Sequence, residues 1–283
     1  MKLQQLHRVF TQELTPFYPK EEVQSFFEIL TAFYLKINRA QLFIEQHLML
    51  DTAKVAQFTE AIERLKKQEP VQYILGETQF YGITLKVTPS TLIPRPETEE
   101  LVDWIIKDFK PNKELDILDV CTGSGCIAIA LGHNLQQAKI KAVDISKGAL
   151  NVAQQNAERL NLNVSFYEQD ALKQLPIDQN FDIIVSNPPY VRAVEKEQMS
   201  ANVLDYEPAQ ALFVSNANPL LFYRAIGTYA FEHLTADGAL YLEINEYLSK
   251  ETQSLLSEIG FKHSELRQDI FGKNRMIKCW LDE

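Results

Sequence analysis

The stretch LDILDVCTGSGCIAIAL, residues 115–131, decides the fold. Its first half is a short apolar run of strand type, and its second half is apolar at helical length. Gly123 and Gly125 mark a tight turn between them. Downstream the same alternation continues. Strand signals lie at Ile140–Val143, Val164–Glu168, Phe181–Ser186 and Ala239–Ile244, and helical signals over 150–160 and 220–234. Two further strands are expected near 262–267 and 276–281. Strands alternating with helices predict an α/β fold, a mostly parallel sheet covered by helices on both faces.

Upstream the pattern changes. Residues 1–72 contain no glycine and read as a small all-α bundle. Val23, Phe26, Phe27, Leu30, Phe33 and Tyr34 recur at helical spacing, as do Val55, Phe58, Ile62 and Leu65. Asp51 stands as an N-cap, and Asn38 with Gln41 as a capping box. Residues 73–95 are punctuated by Gly76, Gly82, Pro89 and Pro94, with Gly82 between two alternating runs, so a β-hairpin linker is expected there. The α/β domain then occupies 96–283.

Composition narrows the function classes. At 46% hydrophobic and 23% charged the chain is of ordinary globular type. No apolar run is long enough to span a bilayer, and MKLQQLHRVFTQEL lacks the apolar core of a secretory signal, so a cytoplasmic, membrane-free protein is expected. Cys121, Cys126 and Cys279 have no metal-ligand spacing, and the five histidines are scattered; a reduced compartment and no metal site follow as expectations. A net charge of −10 disfavours phosphate-driven binding of nucleic acid and favours a basic protein partner.

Chemistry in an open α/β sheet gathers beyond the carboxyl ends of the strands. The residues there form an ordered series: Asp119 with the turn Cys121, Thr122, Gly123, Ser124 and Gly125, then Asp144, Asp170 and Asn187. The glycine turn offers close backbone approach and free helix N–H groups. Alone it serves several cofactors, since Gly123, Gly125 and Ala128 also satisfy the dinucleotide spacing G-x-G-x-x-A. Asp144 suits ribose hydroxyls, with a helix N-terminus beginning at Ser146 as the plainer alternative.

Ser186-Asn187-Pro188-Pro189-Tyr190 discriminates further. Consecutive prolines fix φ and remove two N–H groups, and they hold Asn187 in an extended conformation. The Asn187 oxygen and nearby carbonyls then become acceptors. An amide or aryl-amine nitrogen is a weak nucleophile, and acceptors gripping its N–H groups orient it and raise its electron density. Tyr190 can stack on the flat group. A Pro-Pro pair that merely ends a strand is the plain alternative.

Taken together, DVCTGSG at 119–125 and NPPY at 187–190 resemble the class I amino-methyltransferases, whose fold is Rossmann-like. LIPRPETE at 92–99, preceded by GETQFYG at 76–82, narrows the resemblance to the release factor glutamine methyltransferases over essentially the whole chain. The resemblance implies S-adenosylmethionine as cofactor, leaving as S-adenosylhomocysteine, and the Gly-Gly-Gln glutamine of class I peptide chain release factors as acceptor. It implies that Cys121–Gly125 wrap the methionine part, Asp144 binds ribose, and Asp170 and Ala171 flank adenine. It also implies that Asn187 borders both ligands. Asn187 and Pro188 would accept from the substrate amide, with Pro189 and Tyr190 shaping its slot. The helical domain would grip the substrate protein, and a monomer without nucleic acid is expected.

Arg95 and Glu97 are placed near the site mouth or in a structural salt bridge, and Glu207-Pro208 in a structural lid. Ala171 replaces a bulky aromatic common in the family, and Asn245 a usual glycine after Leu242-Glu-Ile244; both are read as lying away from the amide grip. Three other classes remain: an adenine amino-methyltransferase acting on nucleic acid, a nicotinamide oxidoreductase and a non-catalytic binding module.

Overall fold

The computed structural model describes residues 1–109, 113–173 and 179–281. One compact unit comprises Met1–Gly76 with Ser200–Tyr206; the other holds the described residues of Glu77–Met199 and those from Glu207 onward.

The first unit is helical. It contains α1 (Leu3–Leu14), α2 (Lys20–Leu35), α3 (Arg39–Ile44), α4 (Thr52–Lys66) and α5 (Val71–Leu75). Each long helix buries one stripe: Leu3, Leu6, Phe10 and Leu14 from α1; Val23, Phe27 and Leu30 from α2; Phe58, Ala61, Ile62 and Leu65 from α4. These stripes share one core. Both anticipated caps are formed. The Asn38 side chain accepts from the Gln41 amide at 2.9 Å while Gln41 returns the bond, and Asp51 accepts from Lys54 N at 2.7 Å.

The second unit begins with a hairpin of β1 (Glu77–Phe80) and β2 (Ile83–Lys86), antiparallel with Phe80 opposite Ile83. Tyr81 and Gly82 turn it with φ of +49° and +75°, the mirror-image turn that matches strand twist. Its Phe80, Ile83 and Leu85 are buried in one cluster with Leu101, Trp104 and Ile117. The segment expected as a linker thus contributes core residues to the α/β unit, because its apolar face is covered there.

There follow α6 (Pro96–Asp108), β3 (Asp116–Val120), α7 (Cys126–Asn134), β4 (Lys139–Asp144), α8 (Lys147–Arg159), β5 (Val164–Glu168) and β6 (Phe181–Ser186). A segment that the strand and helix signals left unassigned holds β7 (Val191–Arg192), α9 (Ala201–Tyr206), α10 (Ala209–Leu212) and β8 (Phe213–Val214). The chain closes with α11 (Leu221–His233), β9 (Leu234–Glu243), α12 (Ser249–Ile259), β10 (His263–Gln268) and β11 (Asn274–Trp280).

Among the described residues seven strands form the main sheet, in the order β10-β11-β9-β6-β3-β4-β5. The strands β3, β4, β5, β6 and β9 run parallel, and β11 pairs antiparallel with β9 and with β10. The side-chain period of two sorts each strand between two cores. Ile117, Ile183, Val185 and Tyr241 join α6 and α7 on one face, and Leu118, Val120, Ile184 and Leu240 join α11 and α12 on the other. After β5 the chain recrosses to lay β6 against the free side of β3. That reversal opens a crevice beyond the ends of β3 and β6.

Ile184 is fully buried at the centre of this sheet. Replacing it by alanine leaves a cavity, with an expected loss of about 2–5 kcal/mol. A urea unfolding curve of Ile184→Ala against the parent protein measures the difference.

Candidate active site

The crevice is a cavity of about 300 Å³, and its walls come from the strand-end loops. Cys121, Thr122, Gly123, Ser124, Asp144, Asp170, Ala171, Asn187 and Pro189 all line it. Gly125, Pro188 and Tyr190 are not among its lining residues. The fold thus brings most of the sequence-nominated residues into one space.

The glycine turn has the backbone its sequence requires. Cys121, Gly123 and Gly125 have φ of +63°, +56° and +81°. A Cβ on Gly123 would meet nothing within 4 Å, so its backbone edge is open to a ligand. Gly125 differs. A Cβ there would stand 3.0 Å from both Ala153 Cβ and Ile129 Cδ1, so this glycine lets α8 pack closely on the start of α7. Asn156 of α8 bonds the turn as well, donating to the Ser124 carbonyl at 3.0 Å. The Ser124 hydroxyl is buried at the cavity wall, without a hydrogen-bond partner among the described residues.

Asp119 stands apart from the series of strand-end carboxylates. It is fully buried and does not line the cavity. Its Oδ2 accepts from Thr122 Oγ1 at 2.6 Å and Ala128 N at 3.2 Å, tying the turn to the first turn of α7. Its Oδ1 has no partner among the described residues, and burial pushes the carboxyl up to about 7. Asp144 lines the cavity with its Oδ2 accepting from Gly123 N at 2.8 Å and its Oδ1 from Ser146 N at 2.9 Å. Burial raises its pKa too. Asp170 Oδ1 accepts from Leu172 N at 3.0 Å, and Lys173 stands 3.3 Å from its other oxygen.

At the end of β6, Asn187 Nδ2 donates to Thr98 Oγ1 at 3.1 Å, and no donor among the described residues engages its Oδ1. Thr98, from the first turn of α6, donates to Glu243 Oε2 at 2.6 Å. Tyr190 turns its hydroxyl to Glu243 Oε1 at 2.8 Å, so its polar tip faces that carboxylate. Glu243 is 1% exposed, and burial raises its pKa against the Thr98 and Tyr190 hydrogen bonds and the Arg275 charge.

Arg95 lines the cavity and pairs with Glu207 at 2.6 Å, while the other Glu207 oxygen accepts from Ile93 N at 3.1 Å. Glu97 takes no part in that bridge. Both oxygens of a carboxylate 5% exposed are thereby satisfied, and the proline-rich strap is tied to the Glu207-Pro208 segment.

Asn245 bonds neither Asn187 nor Pro188 but holds the loop that follows them. Its Nδ2 donates to the Tyr190 carbonyl at 3.0 Å and to the Glu195 carboxylate at 2.9 Å, bonds no glycine could supply. Sequence reasoning also missed Thr98, Glu243 and Phe222. The first two stood in quoted motifs, but only the fold brings them together. Phe222 of α11 lines the same cavity as Ala171, from a distant element and without any local signal.

Two family descriptions match: Methyltransferase small domain over residues 101–269 and PrmC N-terminal domain over 5–76. The Release factor glutamine methyltransferase of Flavobacterium psychrophilum is 48% identical over 272 residues, 95% of each chain. That of Bacteroides thetaiotaomicron is 42% identical over 267 residues, 94% of this chain and 95% of its own. The chain belongs to the release factor glutamine methyltransferase family. A crystal structure of a methyltransferase from Pyrococcus furiosus shares the fold, with a TM-score of 0.54 at 16% identity over 80% of this chain and 100% of that one. Among the described residues no group of three or more His, Cys, Asp or Glu could hold a metal ion, and no helix is long and apolar enough to cross a membrane.

Asp119 gives this family member a pH signature. The folded protein keeps the Asp119 proton up to about 7, whereas the unfolded chain loses it near 3.8. Its contribution is therefore full at low pH and declines as pH rises toward 7. Urea midpoints between pH 4.5 and pH 7.5 should fall less for Asp119→Asn than for the parent, and parallel curves would refute the assignment. Gly125→Ala combines left-handed strain of about 1–3 kcal/mol with the Ala153 clash. Differential scanning calorimetry should show a lowered melting temperature in that variant.

Proposed function

We propose that this enzyme transfers a methyl group from S-adenosylmethionine to the side-chain amide nitrogen of the Gly-Gly-Gln glutamine in class I peptide chain release factors, releasing S-adenosylhomocysteine. The observation that carries the reading is Asn187: its amino group is held by Thr98 while its oxygen is left as an acceptor at the cavity wall.

The residues present fit the cofactor. Gly123 leaves room against its backbone, Ser124 has a buried hydroxyl unpartnered among the described residues, and Asp144 is a carboxylate at the cavity wall. In this reading Cys121–Gly125 hold the methionine part, Asp144 the ribose, and Asp170 and Ala171 the adenine, with Phe222 adding apolar surface. The bound cofactor supplies an electrophilic methyl group.

The chain's own residues orient the acceptor. An amide nitrogen is a poor nucleophile because its lone pair is delocalised. Asn187 Oδ1 and the Pro188 carbonyl accept its two N–H bonds, which aligns the nitrogen and increases its electron density. Pro189 walls the slot, and Tyr190 acts from behind through its hydroxyl. Once methylated, the nitrogen is acidic and can pass its proton to an acceptor or to water, so no dedicated base is needed.

The helical unit, residues 1–72, is assigned to gripping the release factor. A cytoplasmic monomer acting in translation termination fits this substrate. The net charge of −10 and the curated relatives both argue against the adenine-methylating alternative.

Labelled S-adenosylmethionine should methylate a purified class I release factor and leave its Gly-Gly-Gln glutamine-to-alanine variant unlabelled. Equal labelling of both would move the target elsewhere. Asn187→Ala should lower kcat by about 100- to 1,000-fold, the scale of losing one preorganised hydrogen-bonding group. S-adenosylmethionine affinity should stay close to that of the parent, and unchanged turnover would overturn the amide grip.

A further inference from the structure

We infer that Glu243, acting through Thr98, fixes which end of the Asn187 amide faces the acceptor nitrogen. Both are positioning residues, and the inference rests on the reaction proposed above.

The residues come from three elements far apart in sequence. Asn187 follows β6, Thr98 lies in the first turn of α6, and Glu243 ends β9. They form one directional chain: Asn187 Nδ2 donates to Thr98 Oγ1 at 3.1 Å, and Thr98 Oγ1 donates to Glu243 Oε2 at 2.6 Å. Thr98 and Glu243 are each 1% exposed, so water does not offer ready substitutes.

The direction of each bond follows from chemistry. Each Glu243 oxygen already receives a hydrogen, Oε2 from Thr98 and Oε1 from Tyr190, so Glu243 accepts at both, and a hydroxyl has a single hydrogen. With that hydrogen committed to Glu243, Thr98 has only lone pairs left for Asn187. Asn187 must therefore turn its amino group to Thr98 and its oxygen away. If Thr98 could donate, the opposite flip would be equally well bonded. Asn187 would then present N–H groups to a substrate nitrogen that also carries them, donor against donor.

Tyr190 completes the device. Its hydroxyl donates to Glu243 Oε1 at 2.8 Å, so each carboxylate oxygen receives its own donor and the carboxylate plane is fixed. A tyrosine in the motif is thus explained without stacking on the substrate.

The test uses the full chain and a class I release factor. Thr98→Val keeps side-chain shape while deleting the hydroxyl, and should lower kcat by about 100-fold, the scale of a small misplacement of a reacting group. KM for the release factor, S-adenosylmethionine affinity by calorimetry and melting temperature should stay close to the parent. Thr98→Ser restores the hydroxyl and should recover most of the lost kcat. Glu243→Leu frees the Thr98 hydrogen, so it should lower kcat similarly, and adding Thr98→Val to it should cost little more. Retained kcat in Thr98→Val, no recovery in Thr98→Ser, or multiplied losses in the double variant would each overturn the relay. If Glu243→Leu does not fold, the two Thr98 variants decide alone. A parent protein that labels no release factor would bring down the proposed function and this inference together. A parent that labels it while Thr98→Val keeps its kcat would remove only the inference.

Discussion

The pairing of β6 with β3 is the constraint on which the site depends. The register sets Val120 opposite Ser186, so the turn from Cys121 and the loop from Asn187 leave the sheet side by side. The Ser186 hydroxyl strengthens that junction by donating to the Val120 carbonyl at 2.6 Å. Because β4 and β5 continue on one side of β3 and β6 lies on the other, the strand order reverses between the two ends, where open α/β sheets leave a crevice. A one-residue slip of β6 would turn Ile183 and Val185 out of one core and into the other, so the packing of both faces holds the register.

Buried carboxylates do the local bracing. Asp119 ties the glycine turn to α7, Glu207 ties the proline-rich strap to Arg95 and Ile93, and Glu243 gathers Thr98 and Tyr190. A carboxylate accepts several directed bonds at once, and in a low-dielectric interior each bond is costly to leave unmade. Loops that would otherwise be free are therefore held in one arrangement. Preorganisation of this kind suits chemistry that needs alignment more than it needs an acid or base.

The two departures from the family pattern have different weights once the fold is known. Ala171 lines the cavity wall, and Phe222 reaches the same cavity from α11. Asn245 adds bonds to the Tyr190 carbonyl and Glu195 behind the amide loop. Asn245 could not be judged from its neighbours in sequence, since Glu195 lies 50 positions away.

Local information was enough for much of the protein. Apolar periodicity marked the helical stripes and the parallel strands, the caps at Asn38 and Asp51 followed from short-range bonding rules, and the turn at Gly82 from its need for positive φ. The glycine turn and NPPY were legible because their backbone demands are written in consecutive residues. The segment holding α9 and α10 was not legible, since its short elements carry too few residues for a period to show. Asp119 read as a site carboxylate but turned inward, because strand alternation and burial, not position at a strand end, decide where a side chain points. The sequence by itself determined the fold class and the family. Tertiary structure alone decided that Thr98, Glu243 and Asn187 share one hydrogen-bond chain, because the direction of a hydrogen bond depends on which partners the fold brings within reach.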